Sequence, residues 1–210
     1  MNKIKAVIFD MDGVIVDSEP TQTQIESELI KKYAKQSLKS PDRFLGVTEK
    51  YFWQTVCQEL DIKKTPTELM TERSKIYEQR MLQLPLFPHV KNLFKKIKDR
   101  GLKTAVASSS YQKWIEQIIQ HHHLDCNILV SGEFVKNSKP FPDIFLETAN
   151  RLRLSPKECL VIEDSINGIT AAKAAGMKCV AITNTFPKEK LSEADYIINN
   201  LNEFNFNWLQ

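Results

Sequence analysis

The apolar positions of this chain follow two rhythms. Ala6-Val7-Ile8-Phe9 is a short unbroken apolar run between Lys5 and the turn-forming Asp12-Gly13. A run of that length, closed by turn residues, reads as a strand buried on both faces of a sheet. Thr104-Ala105-Val106-Ala107, Leu160-Val161-Ile162 and Cys179-Val180-Ala181-Ile182 repeat it, with Ile128-Leu129-Val130 and Tyr196-Ile197-Ile198 as weaker versions. Helical periodicity fills the gaps, at His89 to Arg100, Tyr111 to His121, Pro142 to Leu152 and Gly168 to Ala175. Alternation of this kind predicts a parallel sheet with helices on both faces. Gly101 and Gly176 stand after helical patterns and before strands, where C-caps belong.

From Ser18 to Leu84 the alternation stops. No strand pattern occurs there, and Pro20 to Lys35, Thr48 to Leu60 and Thr67 to Leu82 all read as helices. Pro20 and Pro66 lie near helix starts, where a missing N–H costs little, and Thr48 is placed to cap the second helix. The expected organisation is an α/β core of residues 1–17 and 84–210 with an all-helical cap, 18–83, inserted after the first strand. Asp12-Gly13 at one end of the insert, and Pro85 and Pro88 at the other, predict two hinges.

Composition narrows the class of protein. With 210 residues the chain buries a sizeable core and needs no staples to fold. Its net charge of +3 comes from scattered Lys and Arg, with no basic stripe of the kind that tracks nucleic acid. Cys57, Cys126, Cys159 and Cys179 are too far apart for a redox pair or a zinc knuckle, and Cys159 and Cys179 sit in apolar runs as buried thiols. There is no signal-peptide pattern and no apolar run of membrane-spanning length. A protein of the reducing cytoplasm is expected, a monomer or small homo-oligomer, with neither nucleic acid nor membrane as partner.

Candidate chemistry sits at the strand ends. In Phe9-Asp10-Met11-Asp12-Gly13-Val14, two carboxylates two residues apart leave the C-terminal end of the first strand on the same side. Open α/β sheets bind ligands at that edge. One carboxylate can attack phosphorus and the other can shuttle a proton. Alone, the motif is explained equally well by an acidic turn after a strand. Ser108-Ser109-Ser110 ends another strand where a helix opens, as a phosphate cradle or simply an N-cap. Ser138-Lys139-Pro140 offers a cation at a stiffened position. Glu163-Asp164 ends a third strand, and two hard carboxylates suit Mg²⁺, which keeps some water and shares substrate phosphate. Each motif is weak singly. Together they supply nucleophile, acid/base, phosphate cradle, cation and metal ligands at one edge of one sheet, which is the inventory of phosphoryl transfer.

With those residues in view, the chain resembles the haloacid dehalogenase-like hydrolases. DMDGVIVDSEP, VASSS, SKPFPDIF and IEDSINGI are similar to the family's four motifs, in order, and the resemblance spans nearly the whole chain. It is most similar to the β-phosphoglucomutase-like branch, whose members carry a helical cap after the first strand. The resemblance implies a Rossmann-like core. It implies Asp10 as nucleophile and Mg²⁺ ligand, and Asp12 as acid/base lending its backbone carbonyl to the metal. It further implies Ser108 and Lys139 as phosphate binders, with Ser109 beside them, and Asp164 as a metal ligand with Glu163 as direct or indirect partner. Asp12 sets the chain apart from the family's dehalogenases, which lack a second Asp there. The family's mutases carry a cap His and basic residues beside a cap glycine. Here those places hold Gln22 and Leu45-Gly46-Val47, with Arg43 nearby. Gln22, Arg43 and Gly46 are therefore the cap candidates for substrate contact. That departure favours hydrolysis of a small phosphorylated metabolite, a sugar or polyol phosphate, over sugar-phosphate isomerisation. A non-catalytic binding protein on the same fold is less consistent with four intact motifs.

Two other features carry less. His121-His122-His123 cannot converge from one helix face, and cations are at home at a helix C-terminus. Phe44, Tyr51, Phe52 and Trp53 either line a pocket or, at helical spacing, fill the insert's core.

Overall fold

The computed structural model describes residues 3–39, 44 and 48–210. Arg43 and Gly46 lie outside them, so those two candidates receive no structural account. The chain divides into two compact units, Met1–Asp17 with Pro85–Gln210, and Ser18–Leu84.

The first unit is a six-stranded parallel sheet. Its strands are β1 (Ala6–Phe9), β2 (Lys103–Ser108), β3 (Ile128–Ser131), β4 (Cys159–Glu163), β5 (Lys178–Ile182) and β6 (Tyr196–Ile198). Their order is β3-β2-β1-β4-β5-β6, with β1 at the centre and all four of its residues buried. This is a Rossmann-like α/β sheet. The strand order reverses at β1, so the crevice of the topological switch point opens beside the C-terminal end of the first strand.

Helices alternate with the strands as the apolar periods require. Those of this unit are α4 (Val90–Lys98), α5 (Gln112–His121), α6 (Asp143–Leu152) and α7 (Ile166–Ala174). Side chains of alternate strand residues face opposite sides of the sheet. Ala6 and Ile8 of β1, with Ala105, Ala107, Cys159 and Val161, pack against Ile144 and Phe145 of α6 and Ile169 and Ala172 of α7. On the other face Phe9 stacks on Phe94 of α4 with ring centroids 4.4 Å apart. Gly101 and Gly176 take φ of +71° and +74°, the left-handed conformation of a helix stop. The helix expected to open at Gly168 begins two residues earlier, because the Ser165 side chain caps it by accepting from Gly168 N. All four cysteines are free thiols. Among the described residues no helix is long and apolar enough to cross a membrane.

The second unit contains α1 (Glu19–Tyr33), α2 (Glu49–Glu59) and α3 (Pro66–Arg80). Thr48 caps α2, and Thr65 with Glu68 forms a reciprocal capping box at the start of α3. Phe52 and Trp53 are buried core residues, whereas Tyr51 is exposed. On α3 the buried positions are Leu69, Arg73 and Tyr77, a stripe of period four whose middle member is charged. Arg73 donates to Gln22 Oε1 at 2.6 Å and lies 3.4 Å from Glu49 and 4.0 Å from Glu26. Gln22 in turn donates to Ser18 Oγ at 2.9 Å, so its amide is engaged at both ends.

Arg73 faces Glu26 and Glu49 together, which predicts a pH-dependent stability for this unit. Burial pushes the Glu26 carboxyl up to about 7; Arg73 pulls against that shift, and Glu19 and Glu49 add to it. A carboxyl whose folded pKa is raised binds its proton more tightly in the folded state. Its contribution is most favourable below the unfolded value and is lost as pH climbs toward 7, a change on the order of 3 kcal/mol. Glu26→Gln should therefore raise the unfolding free energy at pH 8 and leave it nearly unchanged at pH 4.5. Urea denaturation at the two pH values checks this, and equal effects at both would refute it.

Candidate active site

The register of the central strands assembles the site. Phe9 lies level with Val106 on one side and Ile162 on the other. One residue further, Asp10 emerges between Ala107 and Glu163 at the C-terminal edge, and its N–H continues the ladder to Ile162 O at 2.9 Å. Beyond it the chain turns tightly. Ile15 N and Val16 N both donate to Met11 O, at 2.8 and 3.0 Å, and Gly13 N donates to Val16 O at 3.0 Å. Gly13 adopts φ of +84°, and a Cβ there would stand 1.9 Å from Asp164 Oδ2. Only glycine allows the Asp10 loop to lie against Asp164.

Lys139 occupies the centre. Its Nζ donates to Asp10 Oδ1 at 2.5 Å and also to Glu163 Oε1, and it lies 5.1 Å from the centre of the Phe145 ring. The arrangement follows from position: Lys139 lies four residues before the start of α6, which covers the sheet face that Asp10 and Glu163 share. Asp10, Glu163 and Asp164 are only 6%, 1% and 5% exposed. Burial is tolerable for charges that are paired. Burial pushes the Asp10 carboxyl up to about 8; Lys139 counteracts that push, and Glu163 and Asp12 reinforce it. Asp164 is raised well above the carboxylate range by burial, then by Glu163 and Asp10. Burial alone would depress the Lys139 ammonium, but Asp10 and Glu163 outweigh it and raise its pKa.

Glu163 is saturated. Besides Lys139 on Oε1, its Oε2 accepts from Asp164 N, Ser165 N and Ser165 Oγ, each at 2.9 Å. Gly168 makes room for it, since a Cβ there would fall 1.8 Å from Glu163 Oε1.

The serines do not cap α5. Tyr111 holds the N-cap position without a side-chain bond, and Gln112 N is taken by Glu133 Oε2 at 2.7 Å. Ser110 Oγ instead donates to Asp12 Oδ2 at 2.8 Å, with Ser108 Oγ 3.4 Å from the same atom. Ser108 Oγ also accepts from Ser110 N at 3.1 Å, and Ser131 Oγ holds Ser110 O at 2.7 Å. Ser109 is exposed, with its backbone close against Gly132. The sequence-predicted residues Asp10, Asp12, Ser108, Lys139, Glu163 and Asp164 thus form one connected edge. Gln22 belongs to the helical unit.

Three participants, Ser131, Thr185 and Asn184, escaped the sequence reading. Ser131 holds Ser110, which in turn donates to Asp12. After β5, Thr185 Oγ1 donates to Asp164 Oδ2, and Asn184 Nδ2 donates to Gly13 O at 2.8 Å. The available signal was a polar Thr183-Asn184-Thr185 run at the C-terminal end of a recognised strand.

The charge balance bears on a metal. Asp10, Glu163 and Asp164 set three carboxylates against the single ammonium of Lys139, leaving two negative charges uncompensated if all ionise. A divalent cation is the matching complement. Among the described residues no group of three or more His, Cys, Asp or Glu is arranged to hold a metal ion. Mg²⁺ takes one or two carboxylates and completes its shell with water and phosphate, so Asp10 and Asp164 could serve as its side-chain donors.

A family model described as haloacid dehalogenase-like hydrolase matches residues 7–182. The chain is 32% identical over 201 residues to a bifunctional riboflavin kinase/FMN phosphatase of Arabidopsis thaliana, covering 93% of this chain and 53% of that protein. It is 30% identical over 184 residues to a phosphorylated carbohydrates phosphatase of Thermotoga maritima, covering 83% of each. The chain therefore spans about half the length of the plant relative and most of the bacterial one. A crystal structure of β-phosphoglucomutase from Clostridium difficile shares the fold, with a TM-score of 0.81, 23% identity, and coverage of 99% of this chain and 96% of that one.

Proposed function

The chain belongs to the haloacid dehalogenase-like hydrolase family, and on that footing we propose that it hydrolyses small phosphate monoesters, sugar or polyol phosphates foremost, through a phosphorylated Asp10. The observation that carries the reading is Asp10 itself. It is a buried carboxylate just past the C-terminal end of the central strand, paired to a buried lysine, with Asp12 two residues on.

In this reading the Asp10 carboxylate attacks phosphorus and the ester P–O bond breaks. Asp12 protonates the departing oxygen, then takes a proton from the water that cleaves the acyl phosphate. Lys139 orients Asp10 and offsets charge on the phosphoryl oxygens, with Ser108 and the Ser109 backbone beside it. Glu163, its oxygens already filled, holds Lys139 and the start of α7. Asp10, Asp164 and the Asp12 carbonyl would hold Mg²⁺, which supplies charge neutralisation at the phosphate when bound. In this reading the helical unit Ser18–Leu84 takes the place of the family's cap. Within that unit Gln22 cannot titrate and is already bonded to Arg73 and Ser18, so it offers no acid or base of the kind a mutase's cap supplies, which favours hydrolysis.

A panel of phosphorylated metabolites assayed for free phosphate, with Mg²⁺ and with chelator, tests the proposal. Phosphate release that vanishes with chelator is expected. β-Glucose 1-phosphate supplied with catalytic glucose 1,6-bisphosphate separates the alternatives. Rapid formation of glucose 6-phosphate with little free phosphate would replace the hydrolase with an isomerase.

A further inference from the structure

The loop that follows β5 is tied to the reaction centre at two points. Thr185 Oγ1 donates to Asp164 Oδ2, and Asn184 Nδ2 donates to Gly13 O at 2.8 Å. We propose that Thr185 is a positioning residue for cation binding. It fixes the rotation of the Asp164 carboxylate, while Asn184 fixes the turn of the Asp10 loop against it. The proposal rests on the phosphohydrolase reading, since it assumes that Asp164 is a metal ligand.

The geometry supports it from three sides. Asp164 is almost wholly buried and faces like charge from Glu163 and Asp10, which the Thr185 hydrogen bond and Lys139 oppose. Its Oδ2 accepts from the Thr185 hydroxyl, which leaves Oδ1 for a cation. The Thr185 hydroxyl also stands 3.1 Å from where a Cβ on Gly13 would fall, so it lies in the seam between the Asp10 loop and Asp164. Asn184 grips the Gly13 carbonyl, one peptide beyond the Asp12 carbonyl that the metal would use. One loop therefore sets the separation of two ligand-bearing segments that are distant in sequence. Hydrogen bonds to a ligand carboxylate orient it and keep it basic, and removing such partners weakens metal binding roughly 10–100-fold.

The test is direct Mg²⁺ binding, which needs no turnover. Calorimetric titration of the full chain with MgCl₂ is run on wild type, Thr185→Val and Thr185→Ser, alongside thermal melts without metal. Thr185→Val keeps the shape and removes the donor. It should weaken Mg²⁺ binding by about 10-fold or more and raise the Mg²⁺ concentration needed for half-maximal phosphate release. The metal-free melts report separately what the lost hydrogen bond costs the fold, and Thr185→Ser should restore the affinity. Wild-type affinity in Thr185→Val would overturn the proposal and leave the hydrolase reading standing. So would a Thr185→Ser variant as weak as Thr185→Val. A wild-type protein that turns over phosphate esters yet binds no Mg²⁺ would instead remove the metal assignment, and this proposal with it.

Discussion

Asp10→Asn should lose more than about 10⁴-fold in turnover while the protein stays folded. The substitution preserves volume and shape but replaces the attacking carboxylate with an amide that cannot form the acyl phosphate. Stability moves the other way. Asp10 is 6% exposed, and burial pushes its carboxyl up to about 8, so the folded protein accommodates a neutral group there more easily than a charge. Lys139 keeps Glu163 as its anionic partner in the variant. Thermal melting should therefore give a midpoint equal to or above wild type, alongside lost phosphate release. The combination matters, since inactivity with unfolding would say nothing about chemistry. Near-normal turnover in a folded Asp10→Asn protein would rule out the covalent route.

Lys139→Met should damage both function and fold. Among the described residues the ammonium is the one cation paired with Asp10 and Glu163, whose side chains are 9% and 1% exposed. Methionine matches the length of the stem and leaves two buried carboxylates facing one another. Breaking a buried pair by removing one partner costs about 3–5 kcal/mol. Losing an oriented cation at a phosphoryl group costs about 10²–10³-fold in turnover. The two losses can be separated. Adding Glu163→Gln to Lys139→Met removes one stranded charge, so urea denaturation should show part of the stability returning while turnover stays low. A double variant no more stable than the single one would mean that the pairing with Glu163 contributes little to the fold.

The sheet was legible because its strands are short apolar runs with no competing pattern. Even the weak candidates Ile128-Leu129-Val130 and Tyr196-Ile197-Ile198 are strands, at the two edges. Helix boundaries shifted by up to two residues, notably where a local hydrogen bond decides them. Ser165 capping α7 is an instance, and so is the Thr65–Glu68 capping box that opens α3. The serine run shows the opposite limit. Its residues were singled out, but its geometry turns on register: Ser108 pairs with Ser131, whose hydroxyl holds Ser110 so that Ser110 can reach Asp12.

Periodicity and turn chemistry are local properties, so the chain alone was enough to read strand type, helix type and the placement of Asp10, Asp12 and Asp164 at strand ends, whereas Lys139, expected there too, lies eight residues beyond the end of β3. Pairing is not local. That Glu163 spends both oxygens on Lys139 and on the start of α7 depends on the alignment of β1 with β4 and on the approach of the segment before α6. That Arg73 is buried at an apolar position of α3 depends on Gln22 of α1 and Glu49 of α2 arriving beside it. Thr185 is an ordinary loop residue until the sheet brings the end of β5 next to Asp164. A hydrogen bond needs its two atoms within about 3 Å, and across more than a few residues only the folded arrangement of the sheet supplies that distance.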